Sequence, residues 1–450
     1  MMPVLFPGDV FLLAFFGGTV FYFLRVRHDS VNRQRWQRIS GQPLARLAVL
    51  ILLPYMLVGL LDCIRVDAVP RPLSMLDIVL TELRVGTETS YSAPFATHSL
   101  VAETRKTTEG YIREFPRLRH GKRYIESQSS DPSREIRLRL LRGGAAGLLV
   151  FLAVGVLCGF FRRAHASSSQ SARWERGSVL IVLACLCLTA GILWQLTPVY
   201  HVLGTDKVGN DVLFQSLKSV RTALVLGTVS TLVTLPLAVG LGLAAGYFGG
   251  WVDDFIQYTY AVVSSVPSVL LIAAGALAMD LWLEAGAGAG IFGSLAASSD
   301  FRLLCLCVVL GLTGWTGLCR LVRGEVLKLR SSEFTLASRA LGMRSSRIIV
   351  GHLLPNVMPL VLVTTVLDFS ALVLAEAVLT YINIGIDPAT PSWGNMINAA
   401  RLELTREPVV WWSLAAAFLG MLGLVLPVNL LADVVRDEFD PRTLSEGAPP

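Results

Sequence analysis

Two carboxylates stand in or beside a long apolar segment, Asp368 within VLVTTVLDFSALVLAEAVL and Glu376 near its end. An acid in the hydrocarbon core of a membrane costs about 2.5–3.5 kcal/mol on insertion scales, so such residues are candidates for function. Two explanations stay open for Asp368: it lines a path and meets the amino group of a solute, or it pairs structurally with another subunit. Glu376 falls close to the outer end, where simple solvation is the alternative.

Other patterns that carry chemistry are absent from the sequence. No Gly-x-x-x-x-Gly-Lys-[Ser/Thr] phosphate loop occurs, which excludes ATP hydrolysis by that route. No His-Glu-x-x-His pattern occurs, and the seven cysteines fall in or beside apolar segments, where a free thiol behaves as a small hydrophobe. We therefore expect no catalytic residue, no metal site and no cofactor bound by this chain.

The polar stretch from Glu333 to Asn356 predicts two short helices joined by an elbow. Gly342 after a helical run is the usual left-handed stop, and Ser345 or Ser346 is a good N-cap for the next helix. Helical spacing groups four residues on one face: Phe334, Ala337, Ala340 and Leu341. We expect the elbow to point its small residues outward, where a partner can close over them: Ala337, Ser338 and Ala340. The alternative is an ordinary basic loop between two helices.

Composition indicates an all-α polytopic membrane protein. Hydrophobic residues make up 53% of the 450 positions, charged residues 16%, and the mean hydropathy is +0.59. Apolar windows long enough to cross ~30 Å of hydrocarbon recur along the chain. They predict about nine transmembrane helices, near residues 10–24, 46–63, 145–161, 178–196, 221–247, 256–279, 302–322, 350–380 and 409–432. The first is short, and a membrane anchor suits it better than a signal peptide.

Arginine and lysine crowd three loops, at residues 25–46, 162–176 and 320–347. By the positive-inside rule these loops are cytoplasmic, which puts the N-terminus outside and the C-terminus inside. Nucleic-acid binding is the rival explanation of basic clusters, but clusters at every second membrane exit favour topology. Residues 66–142 then form an external polar segment, and the serine-rich run at 167–171 is a cytoplasmic linker.

Two external stretches carry further patterns. Residues 203–224 predict an amphipathic helix on the outer surface, although Thr205 or Asp206 could simply cap a helix. The later stretch contains Thr390-Pro391-Ser392-Trp393-Gly394, and Trp393, Trp411 and Trp412 alone would suit a membrane interface. The chain closes with NLLADVVRDEFDPR at 429–442.

Together these segments resemble the permeases of ABC importers in the dipeptide, oligopeptide and nickel family, of the shorter-N-terminus type. The elbow resembles the EAA loop that docks into the ATPase, with Leu336 and Ser338 as departures. Four residues fall at the family's spacing: Ala337, Gly342, Leu354 and Pro355. The coupling-loop residues that the resemblance implies are Ala337, Ser338, Ala340, Leu341, Gly342, Leu354 and Pro355. The external segments resemble the pre-helix signature and the loop that meets the binding protein. Their matched residues are Gly204, Thr205, Asp206, Gly209, Asp211, Pro391, Ser392, Trp393 and Gly394, with Asn210 replacing the usual arginine.

The resemblance implies a type I importer core of six helices over residues 177–445, behind an appended membrane region at 1–176 that it does not cover. It implies half of a translocation pathway for short peptides or similar small solutes in the bacterial inner membrane. The implied partners are two ATPase subunits that hold ATP and Mg, a second related permease and an extracytoplasmic solute-binding protein. An ion- or proton-coupled carrier and a membrane receptor built around 66–142 are the alternatives.

Overall fold

The computed structural model describes residues 3–4, 6–26, 30–66, 72–107, 110–119, 132–162, 171–285 and 299–439. The serine-rich linker and the last three residues of the C-terminal pattern, Asp440 to Arg442, therefore lie outside the described residues apart from Ser171. In chain order the helices are α1 (Pro7–Val26), α2 (Ser30–Gly41), α3 (Pro43–Cys63), α4 (Met75–Val79), α5 (Thr81–Val85), α6 (Pro132–Arg162), α7 (Ser171–Leu196), α8 (Val212–Phe248), α9 (Gly250–Ser265), α10 (Ser268–Glu284), α11 (Ser299–Arg330), α12 (Glu333–Ala340), α13 (Ser345–Ile348), α14 (Leu354–Tyr381), α15 (Trp393–Glu403) and α16 (Trp412–Phe439).

Strands are few and short. The small antiparallel sheet β1-β2-β3 joins Pro3–Val4, Arg65–Val66 and Leu73–Ser74. A separate antiparallel hairpin pairs β4 (Glu103–Thr107) with β5 (Gly110–Glu114). The predicted external segment thus contains two short helices and a hairpin, and its C-terminal part is helical because α6 already begins at Pro132.

The all-α polytopic prediction is confirmed. In the described residues, seven helices are long and apolar enough to cross a membrane, and an eighth span results if the bent pair α9–α10 counts as one. Each predicted crossing from 46–63 onward coincides with one of these. The first predicted crossing corresponds to a shorter apolar helix, Gly8–Thr19, so the predicted number of nine is reached only by including it.

The bend of 87° between α9 and α10 has a local cause. Pro267 stands at the break, and a proline disfavours helical dihedrals in the residue before it. Val266 accordingly has an extended backbone, with φ −91° and ψ 133°. Three other prolines, Pro236, Pro359 and Pro427, lie inside helices that continue through them.

The chain folds as two compact units. The first comprises Met1–Val4, Ser40–Arg221 and Pro391–Pro427, and the second Leu5–Ile39, Thr222–Thr390 and Val428–Pro450. This division does not follow the predicted domain boundary at residue 176, which stays a prediction.

In the first unit, α6 and α7 form a tightly packed helix pair. A Cβ on Gly143 would meet the backbone of Gly191 at 2.8 Å, and a Cβ on Gly147 would likewise meet the backbone of Leu188. Small residues four apart let helix backbones approach closely, which is how helices associate in lipid. The glycines of α6 therefore join the appended region to α7, the first helix of the predicted core.

In the second unit, glycines of α8 seat the helix against α11. A Cβ on Gly242 would lie 2.8 Å from Val322, and one on Gly246 would lie 2.7 Å from Val326. Around this contact a buried apolar cluster joins α8, α11 and α14, with Leu318, Val322, Ile348, Leu353 and Val357 among its members. The elbow that follows α11 is thus attached to a well-packed support.

Candidate functional site

The elbow begins as predicted, with a short helix that Gly342 stops. Helix α12 ends at Ala340, and Gly342 has a φ of +74°, the left-handed region that L side chains rarely adopt. The N–H of Met343 donates to the carbonyl of Ser338 at 3.1 Å, and the N–H of Gly342 donates to that of Arg339 at 3.0 Å. These two bonds are the Schellman arrangement, which satisfies the last carbonyls of a helix.

The predicted face of α12 is exposed, but one of the small residues predicted to point outward does not. Ala337 and Ala340 are exposed, and the exposed fractions of Phe334 and Leu341 are 41% and 84%. Ser338 does not point outward as predicted, because it is buried and its hydroxyl donates to the carbonyl of Phe334 at 2.8 Å. The face formed by Phe334, Ala337, Ala340 and Leu341 is therefore accessible and uncharged, so no charge on that face has to be desolvated when another protein covers it.

The second helix of the elbow begins at Ser345, as predicted, but its cap differs. The N-cap residue is Arg344, and no side chain caps this helix, so neither serine acts as the predicted cap. A short π-helical turn, Ile349–Leu353, then leads directly into α14. Leu354 packs partly against the buried cluster, and Pro355 lies exposed directly after the π-helical turn.

The elbow is tied to its support by contacts that the sequence did not predict. The hydroxyl of Thr335 is buried and donates to the carbonyl of Leu329 at 2.7 Å, at the end of α11. The guanidinium of Arg339 lies 5.2 Å from the ring centroid of Tyr247, at the end of α8. These contacts hold α12 to the ends of two long helices, α11 and α8.

A bidentate ion pair lies near the same end of α11. Arg323 donates to both carboxylate oxygens of Asp253 on α9, at 2.5 and 2.8 Å. Both side chains are mostly buried, and two parallel N–H···O bonds fix the relative orientation of the helices that carry them. The two residues are 70 positions apart in the sequence, so no local signal could have found the pair.

The pre-helix signature forms a compact turn rather than a surface helix. Asp206 accepts the N–H groups of Val208 and Asn210 at 2.9 and 2.8 Å. Asp211 accepts the N–H of Phe214 at 3.0 Å and so caps α8, a role that the sequence had offered to Thr205 or Asp206. The predicted amphipathic surface helix over 203–224 is wrong: residues 203–211 form the turn, and residues 212–224 are the first turns of α8, which continues without a break into the apolar span.

The string at residues 390–394, at the start of α15, is largely buried rather than open, whereas Pro388 and Ala389 just before it are exposed. Ser392 accepts the N–H of Asn395 at 3.0 Å and caps α15, while Trp393 is 2% exposed and donates its indole N–H to Ser216 at 3.2 Å. Gly394 is also buried, and Pro391 is half-buried. A membrane-interface role for Trp393 is therefore wrong.

The other two tryptophans differ from each other. Trp412 is buried and its indole N–H donates to the carbonyl of Thr205 at 3.0 Å, so an interface role is wrong for it as well. Trp411 is 57% exposed and remains compatible with an interface anchor.

Both candidate acids lie on α14. Glu376 is 5% exposed and accepts the hydroxyl of Thr380 at 2.9 Å, so the explanation by simple solvation is wrong within this chain. Asp368 is half-buried, and among the described residues no hydrogen bond or ion pair to its carboxylate is found. Its two proposed roles stay open.

Comparisons with known proteins agree with the geometry. Residues 238–445, which include the elbow, both acids and the second external loop, match the family described as "Binding-protein-dependent transport system inner membrane component". The chain is 32% identical over 245 residues to the oligopeptide transport system permease protein OppC of Mycobacterium tuberculosis (strain ATCC 25618 / H37Rv), covering 54% of this chain and 77% of that protein.

A second relative is the dipeptide transport system permease protein DppC of Lactococcus lactis subsp. cremoris (strain MG1363). The identity is 32% over 242 residues, which is 54% of this chain and 64% of that protein. The resemblance found in the sequence is confirmed. The chain therefore belongs to the binding-protein-dependent transport system inner membrane components, the transmembrane permease subunits of ABC importers.

Proposed function

We propose that this chain forms half of the pathway of an ATP-driven importer for short peptides, and that the elbow at 333–356 receives the work of the ATPase. The observation that carries the proposal is the exposed, uncharged face of α12, stopped by Gly342 and tied to α8 and α11. Two ATPase subunits, which hold ATP and Mg, and a second related permease complete the complex. An extracytoplasmic binding protein delivers the solute.

The elbow suits the transmission of force. Driving a two-state population from 1:99 to 99:1 needs about 5.5 kcal/mol of differential binding. A contact that transmits this must be gripped closely, and Ala337 and Ala340 keep side-chain bulk small where the partner closes. Because Thr335 and Arg339 fasten α12 to the long helices, movement of the ATPase groove reorients those helices rather than bending the elbow alone.

The substrate class rests on the relatives. The OppC and DppC proteins are named for oligopeptide and dipeptide transport. A peptide carries an amino group, and the half-buried carboxylate of Asp368 is a suitable partner for it along the pathway. Nickel chelates, opines and other small solutes are the alternatives, since the binding protein decides what is delivered.

The orientation of the chain in the membrane that we propose is based on the positions of its arginines. Arg339, Arg344 and Arg347 lie on the elbow and are exposed, which suits the cytoplasmic side of a bacterial inner membrane. The N-terminus then lies outside, and the C-terminus and the ATPase subunits lie inside.

Transport in proteoliposomes tests the proposal. The purified complex is reconstituted with labelled di- to tetrapeptides and the cognate binding protein outside, and with ATP and Mg inside. We expect accumulation of peptide that requires both ATP and the binding protein and that is unchanged by a protonophore. Uptake driven by a proton gradient without ATP would instead support the carrier alternative, with Asp368 as its proton site.

A further inference from the structure

A short segment of the appended region lies across the pre-helix signature. We call Thr87–Ser92 the strap. The N–H of Glu88 donates to the carbonyl of Gly209 at 2.9 Å, and the N–H of Thr205 donates to that of Ser92 at 3.1 Å. Both signature glycines have positive φ, and a Cβ on Gly209 or Gly204 would collide with the carbonyl of Glu88 or Ser92. The turn is therefore shaped to let the strap pass.

A buried charge cluster fastens one end of the strap. The imidazole of His201 lies between two carboxylates, with Nδ1 2.6 Å from Asp211 and Nε2 3.8 Å from Glu88. All three side chains are at most 4% exposed. Burial alone would lower the pKa of His201, but the effect of the two carboxylates is larger and raises that pKa to about 9. The imidazole is therefore protonated near neutral pH.

A second clasp holds the other end. The hydroxyl of Tyr91 donates to the carboxylate of Glu403 at 2.9 Å, at the end of α15, and this contact is buried. The guanidinium of Arg406 lies 5.1 Å from the ring centroid of Tyr91. The strap therefore contacts the turn that precedes α8, and also the C-terminal end of α15 with the loop that follows it.

We propose that the strap is a positioning element of the importer, which holds the signature turn before α8 and helix α15 in one fixed arrangement, with Glu88 and Tyr91 as its positioning residues. The inference rests on the proposed function for its biological readout, because the signature turn and the matched residues at the start of α15 lie where the binding protein is expected to dock. Loops that are already ordered lose less conformational entropy when a partner binds, so the strap strengthens docking without itself touching the solute.

The test uses the full chain in the assembled importer. In Glu88→Gln the shape is kept but the charge that faces His201 is lost, and in Tyr91→Phe only the hydroxyl is lost. We expect the concentration of loaded binding protein that half-maximally stimulates ATP hydrolysis to rise about tenfold in each variant. Glu82→Gln is the matched control, because Glu82 is an exposed acid of the neighbouring helix α5, and it should behave as the wild type.

The pH dependence of the half-maximal concentration distinguishes a loss of positioning from a general loss of stability. Because the pKa of His201 is raised in the folded chain, the stabilisation from its charge is present below its ordinary value near 6.5 and is lost as pH rises through about 9. Glu88 and Asp211 are the charged groups that face His201. In the wild type and in Glu82→Gln alike, the half-maximal concentration of binding protein should therefore rise above this pH. In Glu88→Gln it should change less with pH, because one of the two charges that face His201 is already lost.

The proposed role of the strap would be contradicted if Glu88→Gln and Tyr91→Phe both needed the same half-maximal concentration of loaded binding protein as Glu82→Gln. If no binding protein stimulates the wild type, the proposed function fails instead, and amide hydrogen exchange of the full chain in detergent decides about the strap. Exchange of the Glu88 and Thr205 amides about tenfold faster in Glu88→Gln supports it, and unchanged exchange refutes it.

Discussion

Gly342→Val is expected to abolish the stimulation of ATP hydrolysis by loaded binding protein while leaving membrane insertion intact. The residue has a φ of +74°, and a β-branched side chain is disfavoured there by roughly 1–2 kcal/mol or more. A Cβ at this position meets nothing within 4 Å, so the effect comes from the backbone and not from a collision inside the chain. Stimulated ATP hydrolysis and protein content of the membrane fraction are the two measurements.

Two further variants distinguish an effect of the backbone conformation at Gly342 from an effect of added side-chain volume. Asparagine tolerates the left-handed region, so Gly342→Asn should retain a substantial part of the stimulation. Gly324→Val adds the same side chain inside α11, where a Cβ also meets nothing within 4 Å, and should retain full stimulation. Normal coupling in Gly342→Val would contradict the role that we give the elbow.

Lys218→Met is expected to give the largest loss of stability, about 3–5 kcal/mol, because it leaves buried acids without their cation. The ammonium of Lys218 on α8 lies 3.2 Å from Asp62 at the end of α3 and 2.9 Å from Asp77 of α4. Both carboxylates are at most 9% exposed. Thermal unfolding of the purified chain in detergent measures the loss, and Lys207→Met, at an exposed lysine of the signature turn, is the control.

The loss should depend on pH in a defined direction. Burial alone would raise the pKa of Asp77, but the hydrogen bond and the charge of Lys218 have a larger effect in the opposite direction. The pKa of Asp77 is therefore below its ordinary value of 3.8. The stabilisation is therefore present above that value and is lost as pH falls through the folded pKa. The difference between wild type and Lys218→Met should be largest near neutral pH and shrink in acid. A constant difference would show that the ion pairs are not its cause.

Local chemistry made part of the elbow predictable. A glycine that ends a helix and the spacing of Ala337 and Ala340 are properties of a few adjacent residues, and both predictions are confirmed. Ser338 was misplaced because a small polar residue suits either face of a helix. Its hydroxyl bonds to its own helix, so burial leaves no polar group unsatisfied.

Long-range contacts account for the errors outside the elbow. Trp393 alone suits a membrane interface in the sequence, because its partner is far away in the chain. Nothing near Trp393 indicates that Ser216 accepts its indole N–H. The strap depends on Tyr91 and Glu403, which are 312 positions apart. The apolar spans were found because their length is a local property, whereas the partners of Lys218 in the first turns of α8, Asp62 and Asp77, are far from it in the sequence.

The proposed mechanism requires the elbow to touch an ATPase subunit, and photo-crosslinking in the assembled complex detects that contact. A photoreactive amino acid at Leu341, the most exposed large hydrophobic side chain of α12 and its cap, should form a covalent adduct with an ATPase subunit. The same label at Leu321, which is 48% exposed on α11 within a membrane span, should not. An intact, ATP-hydrolysing complex in which Leu341 labels no ATPase subunit would contradict the account.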